Sequence, residues 1–286
     1  MEKIEKNLKS VFVVSRNGAT QIDALKRLER ILTGFGLDAI FEPALAAALG
    51  RESNSNLNYD EPRFVLSLGG DGNFIGACRR FAGKNAYIFG VHTGHLGFLT
   101  DVTLDELGGF LARFFEGDYK VESVRLLEAR FKKDSKITFK HAFNDVVFMR
   151  KKVKSTAHID AYFEGEHFNS YYGDGVIVSS AMGSTAYNMS AGGAIIHPSA
   201  DVFALTPVCS HSLTQRPLVL PSDFRVEFRS NDDVAVLIDG QDTFDMRNFD
   251  GVEVGYGAEC VNIIHRADRD YFGILKEKLR WGHYDK

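Results

Sequence analysis

FVLSLGGDGNFIGACRRF, residues 64–81, joins an apolar run to a stretch of helical spacing through a turn with three glycines. The run predicts a buried strand at 64–68, and the later spacing predicts a helix from about Asn73 to Phe81. The same alternation continues before residue 117, with strands predicted at 11–14 and 87–91, helices at 22–35 and 103–117, and a loop at the Asn-rich residues 52–60. Thr103 and Glu106 form a capping box at the start of the last helix. This alternation favours an α/β domain with a mainly parallel sheet.

The glycine turn itself predicts an anion site. Because glycines carry no side chains, backbone N–H groups can approach a phosphate closely, and the next helix adds the positive end of its dipole. We call this segment the phosphate turn; it consists of Gly69, Gly70, Gly72 and Asn73. The lysine of a P-loop is absent, and the glycine spacing misses the dinucleotide fingerprint by one residue.

Asp71 lies inside the phosphate turn and suggests catalysis. Bound phosphates repel a carboxylate, so its presence makes sense chiefly where it takes a proton from a hydroxyl or contacts one. An alternative carries equal weight when the segment is taken alone. In that alternative the segment is an ordinary tight turn, and Asp71 caps the following helix.

After residue 117 the chain changes to short segments with strand character, which predicts a β-rich second domain. The predicted strands are 124–131, 144–149, 158–163, 176–179, 224–228, 234–238 and 252–256. Helical spacing returns at 270–281. The expected organisation is therefore an α/β domain at 1–118, a β-rich domain at 119–265 and a helical segment at 266–286.

A second glycine-flanked block, GDGVIVSSAMGSTAYNMSAGG at residues 173–193, carries many hydroxyl groups. Thr185 and Ser190 can hydrogen-bond a sugar or a base edge, and Tyr187 can stack on a ring. These features suit a nucleoside. Taken alone, the block fits better as a hydroxyl-rich helix start, with Ser184 or Thr185 as N-cap and Tyr187 in the core.

Composition excludes several classes of partner and location. The chain has 286 residues and 44% hydrophobic residues, and 34 basic against 38 acidic residues give a net charge of −4. That charge does not attract a polyanion, so nucleic acid is not an expected partner. Cys78, Cys209 and Cys260 lie too far apart in sequence for a metal-ligand pair or a disulfide framework. No segment resembles a signal or membrane span, so we expect a cytoplasmic protein without a membrane partner.

The two glycine blocks and the pair Asn144-Asp145 between them, in this order, resemble the NAD kinase family. The resemblance covers most of the chain and includes GHLGFL at 94–99, HSL at 211–213 with Arg216-Pro217, and DGQ at 239–241. Gly-Gly-Asp-Gly alone is shared with lipid kinases and phosphofructokinases. Joined to Gly-Ser-Thr-Ala-Tyr and the Asn-acid pair, it is specific for NAD kinases.

The resemblance implies a Rossmann-like N-terminal domain, a β-rich C-terminal domain and a C-terminal helix that returns to the first domain. It implies transfer of a phosphate to the 2′-hydroxyl of the adenosine ribose of NAD, which gives NADP. ATP with Mg²⁺ or another divalent cation would be the donor, with inorganic polyphosphate as the alternative. The subunits would pair through the β-rich half into a homo-oligomer, either a dimer or a tetramer.

The resemblance also implies roles for individual residues. Asp71 would be the general base, and Gly72 would contact the substrate beside it. The further residues implied to bind NAD are Asn144, Asp145, Asp174, Thr185, Ala186, Tyr187, Asn188, Met189, Ser190 and Gln241. The chain departs from the commoner family pattern at Asp145, where Glu is frequent, and at Ala181-Met182, where Pro-Thr is frequent.

Three other hypotheses compete with this one. A lipid kinase uses a similar Gly-Gly-Asp-Gly turn, a sensor would bind NAD(H) or NADP(H) without turnover, and a structural α/β protein would bind no small ligand. We assign no protein metal site, because His92 and His95 have no nearby carboxylate or cysteine ligands in the sequence. Either Asp71 or Asp239 would approach a nucleotide-bound cation, and the sequence does not decide between them.

Overall fold

The computed structural model describes residues 4–15, 22–51, 63–94, 97–280 and 282. The loop predicted at 52–60 and His95 lie outside the described residues. The chain forms two compact units. Unit 1 comprises Met1–Val124 and Val261–Lys286, and unit 2 comprises Arg125–Cys260.

The strands are β1 (Ser10–Val14), β2 (Asp38–Phe41), β3 (Phe64–Leu68), β4 (Tyr87–His92), β5 (Val102–Thr103), β6 (Tyr119–Lys133), β7 (Lys136–Ala142), β8 (Asp145–Arg150), β9 (Ala157–Phe163), β10 (Glu166–Gly173), β11 (Gly175–Ser180), β12 (Val202–Val208), β13 (Leu218–Pro221), β14 (Arg225–Arg229), β15 (Val234–Ile238), β16 (Asp242–Asp245) and β17 (Gly251–Arg266). The helices are α1 (Ile22–Gly34), α2 (Pro43–Ala48), α3 (Asp71–Arg80), α4 (Leu107–Phe115), α5 (Tyr187–Ser190) and α6 (Tyr271–Leu279).

Unit 1 is built on a parallel sheet in which β2, β1, β3 and β4 are successive neighbours. The end of β17 pairs with β4 in the same direction. All five residues of β3 are buried, as expected for a strand that is covered on both faces. The chain reaches β2 on one side of β1 and β3 on the other, so the strand order reverses between β1 and β3. In parallel sheets ligands bind at such a switch point, beyond the carboxyl ends of the strands.

The helices of unit 1 follow their sequence signals. Leu25, Leu28 and Leu32 are the buried residues of α1. The predicted capping box is present, because Thr103 N donates to Glu106 Oε2 at 3.0 Å and Glu106 N donates to Thr103 Oγ1 at 3.3 Å. The last helix, α6, has Asp270 as its N-cap and belongs to unit 1, so the predicted return of the C-terminal helix to the first domain is confirmed.

Unit 2 consists of antiparallel strands, so the predicted β-rich region is confirmed. Six strands form one sheet in the order β13-β12-β11-β8-β15-β16. A second group contains β10, β9, β14 and the first part of β17, and β6 pairs with β17 and β7. The two groups share one hydrophobic core, in which the rings of Phe148 and Phe228 lie 4.5 Å apart. This is the packing of a β-sandwich.

Some elements have no signal in the sequence. The sequence patterns do not predict β2, β5, β7, β10, β12, β13, β16 or α2, and β17 extends well beyond the strand predicted at 252–256. Pro207 lies inside β12 and argues against a strand on sequence grounds. No helix in the described part of the chain has the length and apolar character needed to cross a membrane.

Candidate active site

The phosphate turn is held in shape by its own residues. Gly69 has a φ of +145°, and a Cβ at this position would lie 2.0 Å from Asn73 Nδ2. The amide of Asn73 donates to the carbonyl of Leu68 at 3.0 Å and thereby ties the turn to the end of β3. Gly70 is the N-cap residue of α3, and no side chain caps that helix. The N-terminus of α3 therefore presents backbone groups, as an anion site requires.

The carboxylate of Asp71 is held by a loop that is distant in sequence. Asp71 Oδ2 accepts a hydrogen bond from Phe98 N at 2.8 Å, and Oδ1 accepts from Leu99 N and Thr100 Oγ1, both at 3.3 Å. A Cβ on Gly97 would lie 2.0 Å from Asp71 Oδ1, so only glycine leaves room for the carboxylate there. Asp71 is the first residue of α3 and does not cap it, so the alternative in which Asp71 serves as the helix cap is wrong.

A cavity of about 220 Å³ lies beside the phosphate turn within unit 1. Its lining combines the ends of β1 and β2 with one face of α3. The residues are Val14, Ser15, Glu42, Asn73, Gly76, Ala77 and Arg80. The cavity therefore lies at the switch point of the parallel sheet, where α/β folds usually bind their ligands.

In unit 2, the Asn144-Asp145 pair is fixed by the hairpin between β15 and β16. The Asp239 carboxylate accepts hydrogen bonds from the N–H groups of Phe143, Asn144 and Asp145 at 2.8, 2.7 and 3.0 Å. Asp239 itself has a φ of +50°, in the left-handed region. Burial, together with the negative charge of Asp239, raises the pKa of Asp145 to about 7. A proton therefore leaves Asp145 near neutral pH.

The hydroxyl-rich block packs directly against Asn144. Ser180 Oγ donates to the carbonyl of Phe143 at 2.7 Å and accepts from Gly183 N at 3.0 Å. A Cβ on Gly183 would lie 2.1 Å from the carbonyl oxygen of Asn144. The structure thus brings together two motifs that are about forty residues apart in sequence.

Asn188 lies in this block but faces inward. It is fully buried, its amide nitrogen donates to the carbonyls of Ser184 and Ala194 at 3.1 and 3.0 Å, and its oxygen accepts from Thr206 Oγ1 at 2.6 Å. A Cβ on Gly193 would lie 2.1 Å from that oxygen. The side chain of Asn188 therefore supports the block from within.

Tyr187 and Asp174 lie on the accessible side of the same region. The Tyr187 side chain is 38% exposed, so the alternative that placed it in the core is wrong. Burial of its hydroxyl raises the pKa of Tyr187, and the nearby carboxylates of Asp174 and Asp145 raise it further. Asp174 Oδ1 lies 2.6 Å from Arg150 Nε, and this hydrogen bond lowers the pKa of Asp174.

The other predicted residues of unit 2 are accessible to different degrees. Thr185, Ala186 and Met189 are partly buried, and Ser190 is exposed. Gln241 lies in the hairpin loop, where its N–H donates to the carbonyl of Ile238 at 2.9 Å. The helix-start alternative for this block does not hold, because Ala186 is the N-cap residue of α5 and no side chain caps that helix.

Several supporting residues were not found by sequence reasoning. Thr100 and the N–H groups of Phe98 and Leu99 hold Asp71, and Arg150 pairs with Asp174. The motif at 94–99 contains part of the loop that holds Asp71, but no sequence pattern predicts that this loop binds Asp71.

His92 Nδ1 accepts a hydrogen bond from Gly94 N at 2.9 Å. Within the described residues, no group of three or more His, Cys, Asp or Glu side chains is arranged to hold a metal ion.

Comparisons with known proteins agree with these motifs. The ATP-NAD kinase N-terminal domain matches residues 59–119, and the ATP-NAD kinase C-terminal domain matches residues 143–266. The chain is 40% identical over 280 residues to the NAD kinase of Sulfurimonas denitrificans, covering 97% of this chain and 99% of that protein. It is 42% identical over 281 residues to an NAD kinase of Campylobacter jejuni, covering 97% and 98% of the two chains.

Two solved structures have the same fold. Yeast NADH kinase complexed with NADH superposes with a TM-score of 0.86 at 22% identity, covering 98% of this chain and 89% of the yeast chain. An NAD kinase from Archaeoglobus fulgidus in complex with ATP gives a TM-score of 0.76 at 21% identity, covering 95% and 98%. With the two family models and the close relatives, the chain belongs to the NAD kinase family, the phosphotransferases that convert NAD to NADP.

Proposed function

We propose that Asp71 is the general base of this NAD kinase and that ATP, bound with Mg²⁺ or another divalent cation, is the donor. The observation that carries the proposal is the placement of the Asp71 carboxylate. It lies at the N-terminus of α3, beside the phosphate turn, and three donors fix its orientation. Each carboxylate oxygen has two lone pairs, so these bonds leave acceptor capacity for a proton.

In the proposed reaction the 2′-hydroxyl oxygen of NAD bonds to the γ-phosphorus of ATP. Its proton passes to the carboxylate of Asp71, the bond from the γ-phosphorus to the bridging oxygen breaks, and ADP leaves. The backbone groups of the phosphate turn stabilise the negative charge of the transferring group. A divalent cation bound to the donor phosphates would offset part of their charge. Positioning and electrostatic stabilisation then supply most of the catalysis.

We propose that residues of the Asn144-Asp145 pair, of the block at 173–193 and of the β15–β16 hairpin bind NAD. Asn144 and Asp145 would contact adenosine groups, and Thr185, Tyr187 and Ser190 would line the nucleoside site. Asp174 and Gln241 would add further contacts, while Asn188 acts by holding the block in shape. The exposure of Tyr187 supports this assignment, because an accessible aromatic ring can stack on a base.

The donor is proposed to be ATP rather than polyphosphate, and the cavity beside the phosphate turn would receive it. The matching models are those of ATP-NAD kinases, and the Archaeoglobus relative was solved with ATP. Asn73 belongs to both the turn and the cavity lining, so a nucleotide in the cavity would have its phosphates next to the turn.

We further propose a cytoplasmic location, because Cys209 is exposed and forms no disulfide.

The substitution Asp71→Asn tests the catalytic proposal. It keeps the size of the side chain but removes the ability to take a proton, so kcat should fall by about 10² to 10⁴. NAD affinity, measured by calorimetry, should remain close to that of the parent, because the groups of unit 2 are unchanged. NADP formation from NAD, ATP and Mg²⁺ is followed with an NADP-specific dehydrogenase. A variant with parent-like kcat would remove Asp71 from the role of base.

A further inference from the structure

Arg269, which lies between β17 and α6, connects the C-terminal segment to the loop that holds Asp71. Its side chain is 13% exposed. Arg269 Nη2 donates to the carbonyl oxygen of Phe98 at 2.9 Å, and Nη1 pairs with Asp101. Phe98 is also the residue whose N–H donates to Asp71 Oδ2 at 2.8 Å. A single residue therefore lies between the guanidinium and the proposed base.

Asp101 is bound from two directions by the C-terminal segment. Besides pairing with Arg269, its Oδ2 lies 2.6 Å from His265 Nδ1, and both Asp101 and His265 are buried to more than nine tenths. The other ring nitrogen of His265 lies 3.2 Å from Glu122 Oε2. Burial lowers the pKa of Arg269 to about 10, so its guanidinium stays charged at neutral pH. The ion pair between Arg269 and Asp101 therefore helps to fix the end of the loop at 98–101.

We propose that Arg269 is a positioning residue for phosphoryl transfer, which acts by holding the loop at 98–101 against the carboxylate of Asp71. The inference rests on the proposed role of Asp71 as base. Three of the donors to Asp71 come from this loop, so a loop that drifts would carry the carboxylate with it. A displacement of about 1 Å from a productive geometry can cost 10²-fold in rate. Arg269 acts through the backbone of Phe98, and its positive charge also interacts with the carboxylate of Asp71.

Arg269→Ala and Arg269→Lys in the full chain test this inference. Lysine keeps the charge, but it lacks the planar fork that serves Asp101 and the Phe98 carbonyl together. We expect kcat to fall by about 10- to 100-fold in the alanine variant and less in the lysine variant, with KM for NAD within about twofold of the parent. The matched control is Arg266→Ala, because the ion pairs of Arg266 are with Asp268 and Glu106 and not with Asp101. The control should retain the parent kcat.

Chemical rescue shows whether loss of the guanidinium group itself, and not another change in the variant, accounts for the fall in kcat. Guanidinium ion added at concentrations below those that unfold the protein should restore part of the kcat of Arg269→Ala and should not restore Asp71→Asn. If circular dichroism shows that the alanine variant is unfolded, the kcat and KM of Arg269→Lys test the positioning role of Arg269 instead. Parent-like kcat in a folded Arg269 variant, or a fall in kcat matched by an equal loss of NAD affinity, would overturn the inference. Parent-like kcat in Asp71→Asn would instead overturn the proposed base.

Discussion

Asp71 and Asp145 illustrate how differently two carboxylates can be placed in one chain. Asp71 lies at an accessible helix start, where two N–H groups and a hydroxyl hold both of its oxygens. Asp145 is only 5% exposed and faces the negative charge of Asp239. The hydrogen bonds to Asp71 hold its carboxylate in one orientation. The burial of Asp145 gives its carboxyl group a pKa near neutral pH.

Asp145 should make the stability of the protein depend on pH. Its pKa is raised from 3.8 to about 7 in the fold, so the neutral form stabilises the protein at low pH and this contribution is lost as pH rises through 7. Between pH 5 and pH 8, the unfolding free energy of the parent should therefore fall by up to about 3 kcal/mol more than that of Asp145→Asn. Urea unfolding of both proteins at the two pH values measures the difference. Equal pH dependence in parent and variant would contradict the raised pKa.

At the scale of elements, the loop at 97–100 and α3 form one functional unit although they lie 27 to 29 residues apart. The loop closes over the first residue of α3, and Gly97 allows this close approach. The contact between Gly97 and the Asp71 carboxylate leaves no space for an additional atom. A methyl group on the loop should therefore disturb catalysis more than it disturbs folding.

Gly97→Ala should lower kcat by more than about tenfold, because the new Cβ would lie 2.0 Å from Asp71 Oδ1 and would force the carboxylate out of its hydrogen bonds. The matched control is Gly109→Ala in α4, where a Cβ would meet no atom within 4 Å. Alanine in a helix interior is favoured over glycine by about 0.5–1 kcal/mol, so the control should melt at a higher temperature with unchanged kcat. Kinetics and thermal unfolding of both variants test this pair. Full activity in Gly97→Ala would mean that the loop tolerates the displacement.

The elements that could be predicted from the sequence are those in which local signals agree. β3 and α3 combine an apolar run, glycines and helical spacing, and both occur where predicted, with α3 starting two residues earlier than expected. β7 was missed because five of its seven residues are exposed, and β12 because it contains Pro207. Of the site, sequence reasoning identified the motifs but not their connections. The bonds from the loop at 98–100 to Asp71, and the inward orientation of Asn188, depend on long-range packing that no local pattern encodes.

At the scale of the whole molecule, unit 2 exposes apolar side chains on an edge strand. Leu218 and Val219 of β13 are 42% and 45% exposed, and β13 is the last strand of the six-stranded sheet. An exposed apolar edge is a liability unless another chain covers it. We therefore propose that β13 contributes to the subunit interface of a homo-oligomer, in keeping with the pairing that the family resemblance implies.

Light scattering at micromolar concentration should give the mass of a dimer or a tetramer for the parent. Val219→Lys should shift the mass toward the monomer, because a buried unpaired charge at an interface is strongly unfavourable. Val153→Lys is the control, since Val153 is 87% exposed and lies outside the strands of the sheet. It should leave the mass unchanged. A monomeric parent would contradict the proposed oligomer, and an unaffected Val219→Lys oligomer would place its interface elsewhere.

The discontinuous course of unit 1 has a consequence for synthesis on the ribosome. The unit needs Val261–Lys286, which contributes the strand beside β4 and the two side chains that bind Asp101. Domains whose chain is continuous can fold as they emerge, but the part of unit 1 up to Val124 must wait for the segment at 261–286 to leave the exit tunnel. A nascent chain that stops before residue 261 thus carries every motif of the phosphate turn without the support beneath its base. The loop that holds Asp71 is therefore fixed only after all of unit 2 has been synthesised.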